Sequence, residues 1–189
     1  MGTVLAISGS PRKNGNTVHM LQTVLDVCSR AGHETKLYQA GGRIVRGCMA
    51  CGGCSKHFGR CAIDDWMNEL YPKMANADAI ILGSPSYFAD LSPELKAVID
   101  RTGYVSRRGG MTFSRKIGAA VSAARRAGCI HVLDSINHFF LINDMVVPGS
   151  SYWNMSLSRN IGEYQNDAEG VKTMERLGEN IVWLLEKLK

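Results

Sequence analysis

Residues 3–17 read TVLAISGSPRKNGNT, and they carry the clearest structural pattern in the chain. Its first six residues form a short apolar run, which is typical of a strand buried inside a parallel sheet. A glycine-rich turn follows, and apolar residues then recur at helical spacing on one face, at Val18, Leu21, Val24, Leu25 and Cys28. The stretch therefore predicts a strand, a turn and a helix, which together begin a β-α-β unit.

The same alternation continues along the chain. Four further apolar runs predict strands at 35–38, 79–82, 117–121 and 145–147. Helices are predicted from 64–65 to about 76, from 92–93 to 101, after the fourth strand to about 142, and along an apolar stripe over 171–188. Strands that alternate with helices predict a parallel sheet covered on both faces, because right-handed crossovers place helices on each side. Five strands match a flavodoxin-like three-layer α/β sandwich with strand order 2-1-3-4-5.

Length and composition set the broad class of the protein. The 189 residues, with 45% hydrophobic and 21% charged, predict a single domain over 1–189 with a sizeable core. No apolar run approaches the roughly 20 residues of a membrane span, and the first residues do not resemble a signal peptide. We therefore expect a cytoplasmic protein with no membrane partner. The net charge of +5 suits an anionic ligand, but the basic residues are scattered and no nucleic-acid motif accompanies them, so nucleic acid is an unfavoured partner.

The loop after the first strand is predicted to bind phosphate. Backbone N–H groups and the positive end of the following helix face such a loop. The candidate ligands are Ser8, Ser10, Arg12, Asn16 and Thr17. The sequence is not a nucleoside-triphosphate loop, because Gly9 and Gly15 are separated by five residues and Asn16 stands where the lysine would be. A GxGxxG dinucleotide motif is also absent, so a terminal monophosphate such as that of FMN is favoured; the alternative is a solvated turn that binds nothing.

The loop after the third strand is a candidate wall for a flavin ring. Residues 83–88 read GSPSYF and offer a proline, hydroxyls and two aromatic rings, at Pro85, Ser86, Tyr87 and Phe88. A flavin needs a flat, partly apolar surface together with backbone N–H groups near its polar edge. The alternative is that the two aromatic side chains belong to the core.

The loop after the fourth strand lies on the same predicted rim. Ser122, Ala123 and Ala124 are small enough for close backbone approach, and Arg125 and Arg126 could hold a negative flavin edge or the phosphates of a nicotinamide donor. The alternative is that both arginines are simply exposed residues in the first turn of a helix. On the same rim, residues 149–166 form a long irregular stretch that predicts a functional arm.

A cysteine-rich loop at 46–63 carries four thiols in the pattern C-x2-C-x2-C-x6-C. They are Cys48, Cys51, Cys54 and Cys61. Three thiolates at this spacing can bind one face of a [4Fe–4S] cluster, and the fourth can close the same cluster. Zinc is an alternative, although structural zinc sites usually separate two C-x2-C pairs by a longer span. The thiols could also remain reduced or cycle through disulfides.

The remaining cysteine patterns predict less specific roles. Cys28 lies on an apolar helix face and Cys129 opens a helix, so both are expected to be buried apolar residues. Cys54 to Arg60 spells the C-x5-R pattern of tyrosine phosphatases, but that chemistry requires a loop between a strand and a helix, which this segment lacks.

Taken in order, the motifs resemble those of the flavodoxin-like NADPH-dependent FMN reductases, and within them the iron-sulfur flavoproteins. The stretches that carry the resemblance are 9–17, the cysteine loop with Asp64-Asp65, 83–88, 95–103, 125–128 and 137–154. The resemblance implies FMN held by the loops at 8–17, 83–88 and 122–126, NAD(P)H as co-substrate, and a homodimer or homotetramer. It also implies that the arm, with Tyr152 and Trp153, covers a flavin or an interface.

The sequence therefore predicts an NAD(P)H-dependent flavin oxidoreductase. Electrons would pass from a nicotinamide donor through FMN, and through a [4Fe–4S] cluster if the thiols hold one, to a small-molecule or protein electron acceptor. No protein side chain is expected to act as a nucleophile, because the chemistry belongs to the flavin. The alternatives are a non-enzymatic electron carrier between partner proteins and a zinc-stabilised interaction module without flavin.

Overall fold

The computed structural model describes residues 1–188, and helices alternate with strands along most of this length. The elements are β1 Thr3–Ser8, α1 Asn16–Arg30, β2 Glu34–Gln39, α2 Met67–Asn76, β3 Ala79–Pro85, α3 Pro93–Arg108, β4 Ile117–Ala124, α4 Cys129–Ile142, β5 Met155–Leu157 and α5 Ala168–Lys187. Two short 3₁₀ turns, Gly53–Ser55 and Glu163–Asn166, lie in the cysteine loop and before α5.

The five strands form one parallel sheet in the order β2-β1-β3-β4-β5. The predicted fold class and strand order are confirmed. Ser8 is in register with Gly83, and Pro85 is in register with Ala123, so β1, β3 and β4 end along the same edge. The loops that follow these strands therefore meet at that edge, which is where ligands bind in open α/β sheets.

The sheet has an apolar layer on each face because successive strand residues point in opposite directions. On one face, Leu5, Ile7 and Leu82 pack with apolar residues of α2, α3 and α4. On the other face, Val4 and Ile81 pack with apolar residues of α1 and α5. The sheet is thus the middle layer of a three-layer sandwich, as its apolar runs predict.

The fifth strand is not where the sequence places it. Residues 145–147 do not form a strand: Val146 makes only an isolated bridge to Ile117. Pro148 follows, and a proline cannot donate to a strand ladder. The chain leaves β4 there, and Met155–Leu157 returns to pair with Ser122–Ala124. Part of the predicted arm at 149–166 is therefore an edge strand of the sheet.

Other boundaries also differ from the prediction. β3 continues to Pro85, β4 continues to Ala124, and α3 continues past Arg101 to Arg108. Gly103 lies inside α3 without interrupting it, and an added Cβ there would make only ordinary contact with the ring of Phe139, at 3.4 Å. Within residues 1–188, no helix is long and apolar enough to cross a membrane.

Candidate functional site

The loop between β1 and α1 leads into a helix whose first backbone N–H groups are not capped by a side chain. Gly15 precedes α1 in an extended conformation, no side chain caps the helix, and its first turn contains no acidic residue. The loop itself is tightly wound, because Ser8 Oγ accepts the N–H of Ser10 and Ser10 Oγ accepts the N–H of Arg12, each at 3.2 Å. An anion placed here would meet the positive end of the helix dipole, with the hydroxyl groups of Ser10 and Thr17 close by.

Asn16 has a role that the sequence did not predict. Its Nδ2 donates to the carbonyls of Ser158 and Asn160, at 3.3 and 2.8 Å. Its Oδ1 accepts the N–H groups of Gly162 and Tyr164, at 3.0 and 3.3 Å. We call residues 158–164 the strap. The Asn16 side chain ties the strap to the start of α1, so a contact from Asn16 to a phosphate would have to come from its backbone N–H.

The strap has two further attachments near the loop. Arg12 is exposed, and its Nη1 donates to the carbonyl of Arg159 at 3.4 Å. Tyr164 Oη is 3.0 Å from Thr23 Oγ1 on α1. Residues far apart in sequence therefore form one wall of the candidate phosphate site.

The loop after β3 places its aromatic side chains outside the core. Tyr87 and Asp90 exchange backbone hydrogen bonds of 2.8 and 3.0 Å, which closes a tight turn. Phe88 and Ala89 have positive φ values of 49° and 64° inside that turn. Tyr87 is 43% exposed and Phe88 is fully exposed. The structure thus disfavours the core alternative and leaves both rings free to contact a ligand.

The end of β4 combines a buried and an exposed part. Ser122, Ala123 and Ala124 are buried in the sheet, and Ser122 Oγ has no hydrogen-bond partner. Arg125 and Arg126 follow and are exposed. The arginines are thus available to an anionic ligand, while the small residues can offer only their backbone.

Hydrogen bonds join the three loops into one rim. The N–H of Gly9 donates to the carbonyl of Gly83 at 2.7 Å, and the N–H of Ser86 donates to the carbonyl of Ala123 at 2.8 Å. Gly128, which precedes α4, lies beside Ser86 and has a φ of +94°. A Cβ added to Gly128 would lie 2.5 Å from Ser86 Oγ. The structure therefore brings the three predicted flavin-binding loops together along the carboxyl edge of the sheet.

The four clustered cysteines share a second cavity. Their side chains line a space of about 210 Å³ between the cysteine loop and α3, together with Arg101, Tyr104 and Arg108. Cys48 and Cys51 are exposed, Cys54 and Cys61 are half-buried, and all six cysteines are free thiols. Cys28 and Cys129 are buried, as predicted. Among residues 1–188, no group of three or more His, Cys, Asp or Glu side chains is arranged to hold a metal ion. The donor chemistry fits a thiolate-bound metal group, but the sulfurs would have to move closer together to share one.

Arg101 anchors this cavity and was not identified from the sequence. Its side chain is completely buried, and its guanidinium makes a two-pronged ion pair with Asp65 at 2.6 and 2.8 Å. It also donates to the carbonyls of Arg46 and Ile63, each at 3.0 Å, and to Cys61 Sγ at 3.4 Å. Arg101 therefore ties both ends of the cysteine loop, and one thiol, to α3.

The ion pair explains the charge state of the acid. Burial acts to raise the pKa of Asp65, but the hydrogen bonds and the charge of Arg101 outweigh it, and the pKa lies below its ordinary value. A sequence signal for the pair does exist. Arg101 lies among the apolar residues Leu95, Val98 and Val105 of one helix, and a buried arginine requires an acidic partner.

Helix α3 connects the two sites. At its start, the N–H of Ser92 donates to Ser84 Oγ near the end of β3, at 2.9 Å, and Ser92 Oγ lies against Gly9. Arg101 follows nine residues later, which corresponds to about 13 Å along a helix. The cysteine cavity and the rim are therefore held at a fixed spacing by one rigid element.

The sequence and the fold were compared with those of known proteins. Residues 3–159 match the family model of the NADPH-dependent FMN reductases. The chain is 34% identical to an iron-sulfur flavoprotein of Methanocaldococcus jannaschii, over 98% of both chains. It is 33% identical to an iron-sulfur flavoprotein of Methanosarcina thermophila, over 98% of this chain and 96% of that protein. In fold it is similar to a flavodoxin-type, WrbA-like protein from Agrobacterium tumefaciens, with a TM-score of 0.66 and 14% identity over the whole of both chains. The chain belongs to the NADPH-dependent FMN reductase family and is a flavin-binding oxidoreductase related to the iron-sulfur flavoproteins.

Proposed function

We propose that the protein takes electrons from NAD(P)H through FMN bound at the rim and passes them to a small-molecule or protein acceptor. The observation that carries the proposal is the rim itself, where hydrogen bonds hold three loops around an uncapped helix start. When bound, FMN accepts hydride and releases electrons singly or in pairs, and the protein supplies binding and orientation.

Each loop has a separate role in this proposal. The start of α1, with Ser10, Arg12 and Thr17, binds the phosphate of FMN. Tyr87 and Phe88 cover part of the ring and exclude water from it. Arg125 and Arg126 neutralise phosphates of the nicotinamide donor, since they are exposed beside the rim. This division matches polar groups to the charged end of the ligand and aromatic groups to its flat end.

The cysteine loop extends the electron path. We assign Cys48, Cys51, Cys54 and Cys61 as ligands of a [4Fe–4S] cluster, because they share a cavity and the relatives reported above carry the name iron-sulfur flavoprotein. Arg101 holds the loop that carries them. Free thiols at all six cysteines fit a reducing compartment, so we place the protein in the cytoplasm.

The outer faces of α3 and α4 support assembly into a homodimer or homotetramer. They form an open groove of about 490 Å³. Tyr104, Leu141 and Ile142 on these helices are 52%, 62% and 59% exposed. Contiguous exposed apolar residues of this kind favour contact with a second copy.

The phosphate site provides the test of the flavin role. Arg12→Ala combined with Thr17→Ala should weaken FMN binding by about 100-fold or more, because hydrogen bonds to charged groups contribute about 1.5–3 kcal/mol each and about 1.4 kcal/mol corresponds to a factor of ten. Lys13→Ala is the matched control, since Lys13 is an exposed cation in the same loop. FMN affinity is measured by fluorescence titration of the flavin-free protein. Unchanged affinity in the double variant would contradict the assigned phosphate site.

A non-enzymatic carrier is the second candidate, and the exposure of Tyr87 and Phe88 favours it, because a partner protein could contact these aromatic side chains beside the flavin. Anaerobic assays distinguish the two. Steady NAD(P)H oxidation with an added quinone or ferric acceptor supports the enzyme. Flavin reduction only by a reduced partner protein, with no NAD(P)H oxidation, supports the carrier.

A further inference from the structure

A third cavity lies at the open edge of the sheet, away from the cysteines. It has a volume of about 740 Å³ and is bounded by α4 on one side and residues 147–154 on the other. We call it the edge cavity. Its volume falls within the range of about 300–1,000 Å³ that small-molecule sites occupy.

The edge cavity exists because the sheet lacks a strand there. The N–H of Gly118 donates to the carbonyl of Val146 at 2.9 Å, and the N–H of Ser122 donates to the carbonyl of Asn154, also at 2.9 Å. Between these two bonds the chain leaves β4. Ala120 lies midway, and strand geometry turns its N–H and C=O to the same side as those of Gly118 and Ser122. Ala120 lines the cavity and therefore presents its N–H donor and its C=O acceptor to it.

A side chain of α4 adds a second polar group. Asn137 lines the cavity, and its Oδ1 is buried without a hydrogen-bond partner among residues 1–188. A buried amide oxygen without a donor is unfavourable by about 1–3 kcal/mol, so such groups usually indicate a ligand or an ordered water. The edge cavity therefore offers one N–H donor and two carbonyl-type acceptors close together.

The outer wall of the cavity is aromatic and well fixed. Tyr152 and Trp153 line it, with ring centroids 6.2 Å apart, and they are 62% and 59% exposed. Ser150 Oγ donates to the carbonyl of Tyr152 at 2.7 Å, and Asn180 of α5 donates to the carbonyl of Gly149 at 2.7 Å. A flat ring entering the cavity would meet an aromatic surface on a segment that is already held in place.

Positive charge lies further along the same strand. Ala124 ends β4 four residues after Ala120, a distance of about 13 Å in a strand. Arg125 and Arg126 follow and are exposed. Because Ser122–Ala124 are paired with β5, a ligand would run along α4 instead, past Ile130 at the start of that helix. It would place a flat base at Ala120 and phosphates near the arginines, with its far end towards the flavin rim.

We propose that the edge cavity binds the adenine base of the nicotinamide cofactor. Adenine matches the polar groups, because its amino group donates to Asn137 Oδ1 and to a strand carbonyl while its ring nitrogen accepts the N–H of Ala120. The proposal rests on the proposed function, since it gives the hydride donor a second point of attachment. It makes the adenosine half, and not the nicotinamide alone, a source of affinity.

AMP tests the base site directly, without turnover. Calorimetric titration of the FMN-loaded protein with AMP should show binding, and Trp153→Ala and Asn137→Leu should each weaken it roughly tenfold, the usual effect of losing one base-stacking contact or one hydrogen bond. Trp183→Ala is the matched control, because Trp183 is 56% exposed on α5 and lies outside the edge cavity. No binding, or equal binding by all four proteins, overturns the proposal.

Flavin reduction tests the assignment to the cofactor. Stopped-flow rates are compared for NADH and for reduced nicotinamide mononucleotide, which lacks the adenosine half. Trp153→Ala should raise the half-saturating concentration of NADH roughly tenfold and leave that of the mononucleotide unchanged. Equal effects on both donors would overturn the adenine site and leave the proposed electron transfer from NAD(P)H through FMN intact. Reduction by neither donor removes the NAD(P)H role and with it the cofactor assignment, although the AMP titration still decides whether a base binds.

Discussion

Replacing Arg101 with methionine should destabilise the protein and release the cysteine loop. The substitution keeps an unbranched side chain of moderate length in a completely buried position but removes every hydrogen bond of the guanidinium. Asp65, whose side chain is 18% exposed, would then hold an unpaired charge. Removing one partner of a buried ion pair typically costs 3–5 kcal/mol, and the partial exposure of Asp65 places the expected loss near the lower end, at about 3 kcal/mol.

The assay is equilibrium unfolding in urea, followed by circular dichroism under reducing conditions. Arg176→Met is the control, because Arg176 forms an exposed ion pair with Glu179 and should change stability by less than about 1 kcal/mol. Adding Asp65→Asn to Arg101→Met should recover part of the loss, since the double variant leaves no unpaired charge. A loss below about 1 kcal/mol in Arg101→Met, or no recovery in the double variant, would refute the view that Arg101 anchors the loop.

Three further predictions concern acid stability, backbone strain and the thiols. The pKa of Asp65 is lowered in the folded protein, so its contribution to stability is complete above the unfolded pKa of about 4 and is lost as the pH falls through the folded value; urea titrations below pH 5 should show a larger loss in the wild type than in Asp65→Asn, because Glu34 and Glu163, whose pKa values are also lowered, are present in both. Gly128→Ala should destabilise more than Gly32→Ala in thermal unfolding, because both have positive φ values but only the first would push a Cβ to 2.5 Å from Ser86 Oγ; equal losses would show that the contact is easily relieved. Cys51→Ser should abolish iron- and sulfide-linked absorbance and leave the bound flavin in place, whereas simultaneous loss of both would mean that the cysteine loop builds the fold.

The order of strands and helices is predicted well from the sequence, because most of these elements depend on local patterns of residues. The apolar run Thr3–Ser8, the turn after it and the spacing of α1 are all set by neighbouring residues. The strand order then follows from alternation and crossover handedness. The edge strand is different: 145–147 and 155–157 are both short segments, and only the tertiary pairing with β4 selects the second.

Side-chain roles were harder to predict than loop positions. Asn16 looks like a phosphate ligand by residue type, but its partners lie more than 140 positions away in the strap, and no local pattern reveals that pairing. Arg101 and Asp65 are separated by 36 positions and become partners only when α3 packs beside the cysteine loop. The residue types in each loop thus indicate which loops form the site. Hydrogen bonds between residues distant in sequence decide which side chains remain free to bind a ligand.

FMN binding at the rim formed by the loops after β1, β3 and β4 can be tested by the absorption spectrum and flavin content of freshly purified protein, followed by titration with FMN of any flavin-free fraction. We expect yellow protein with a flavin spectrum, and stoichiometric FMN after titration. Colourless protein that does not bind added FMN would contradict it.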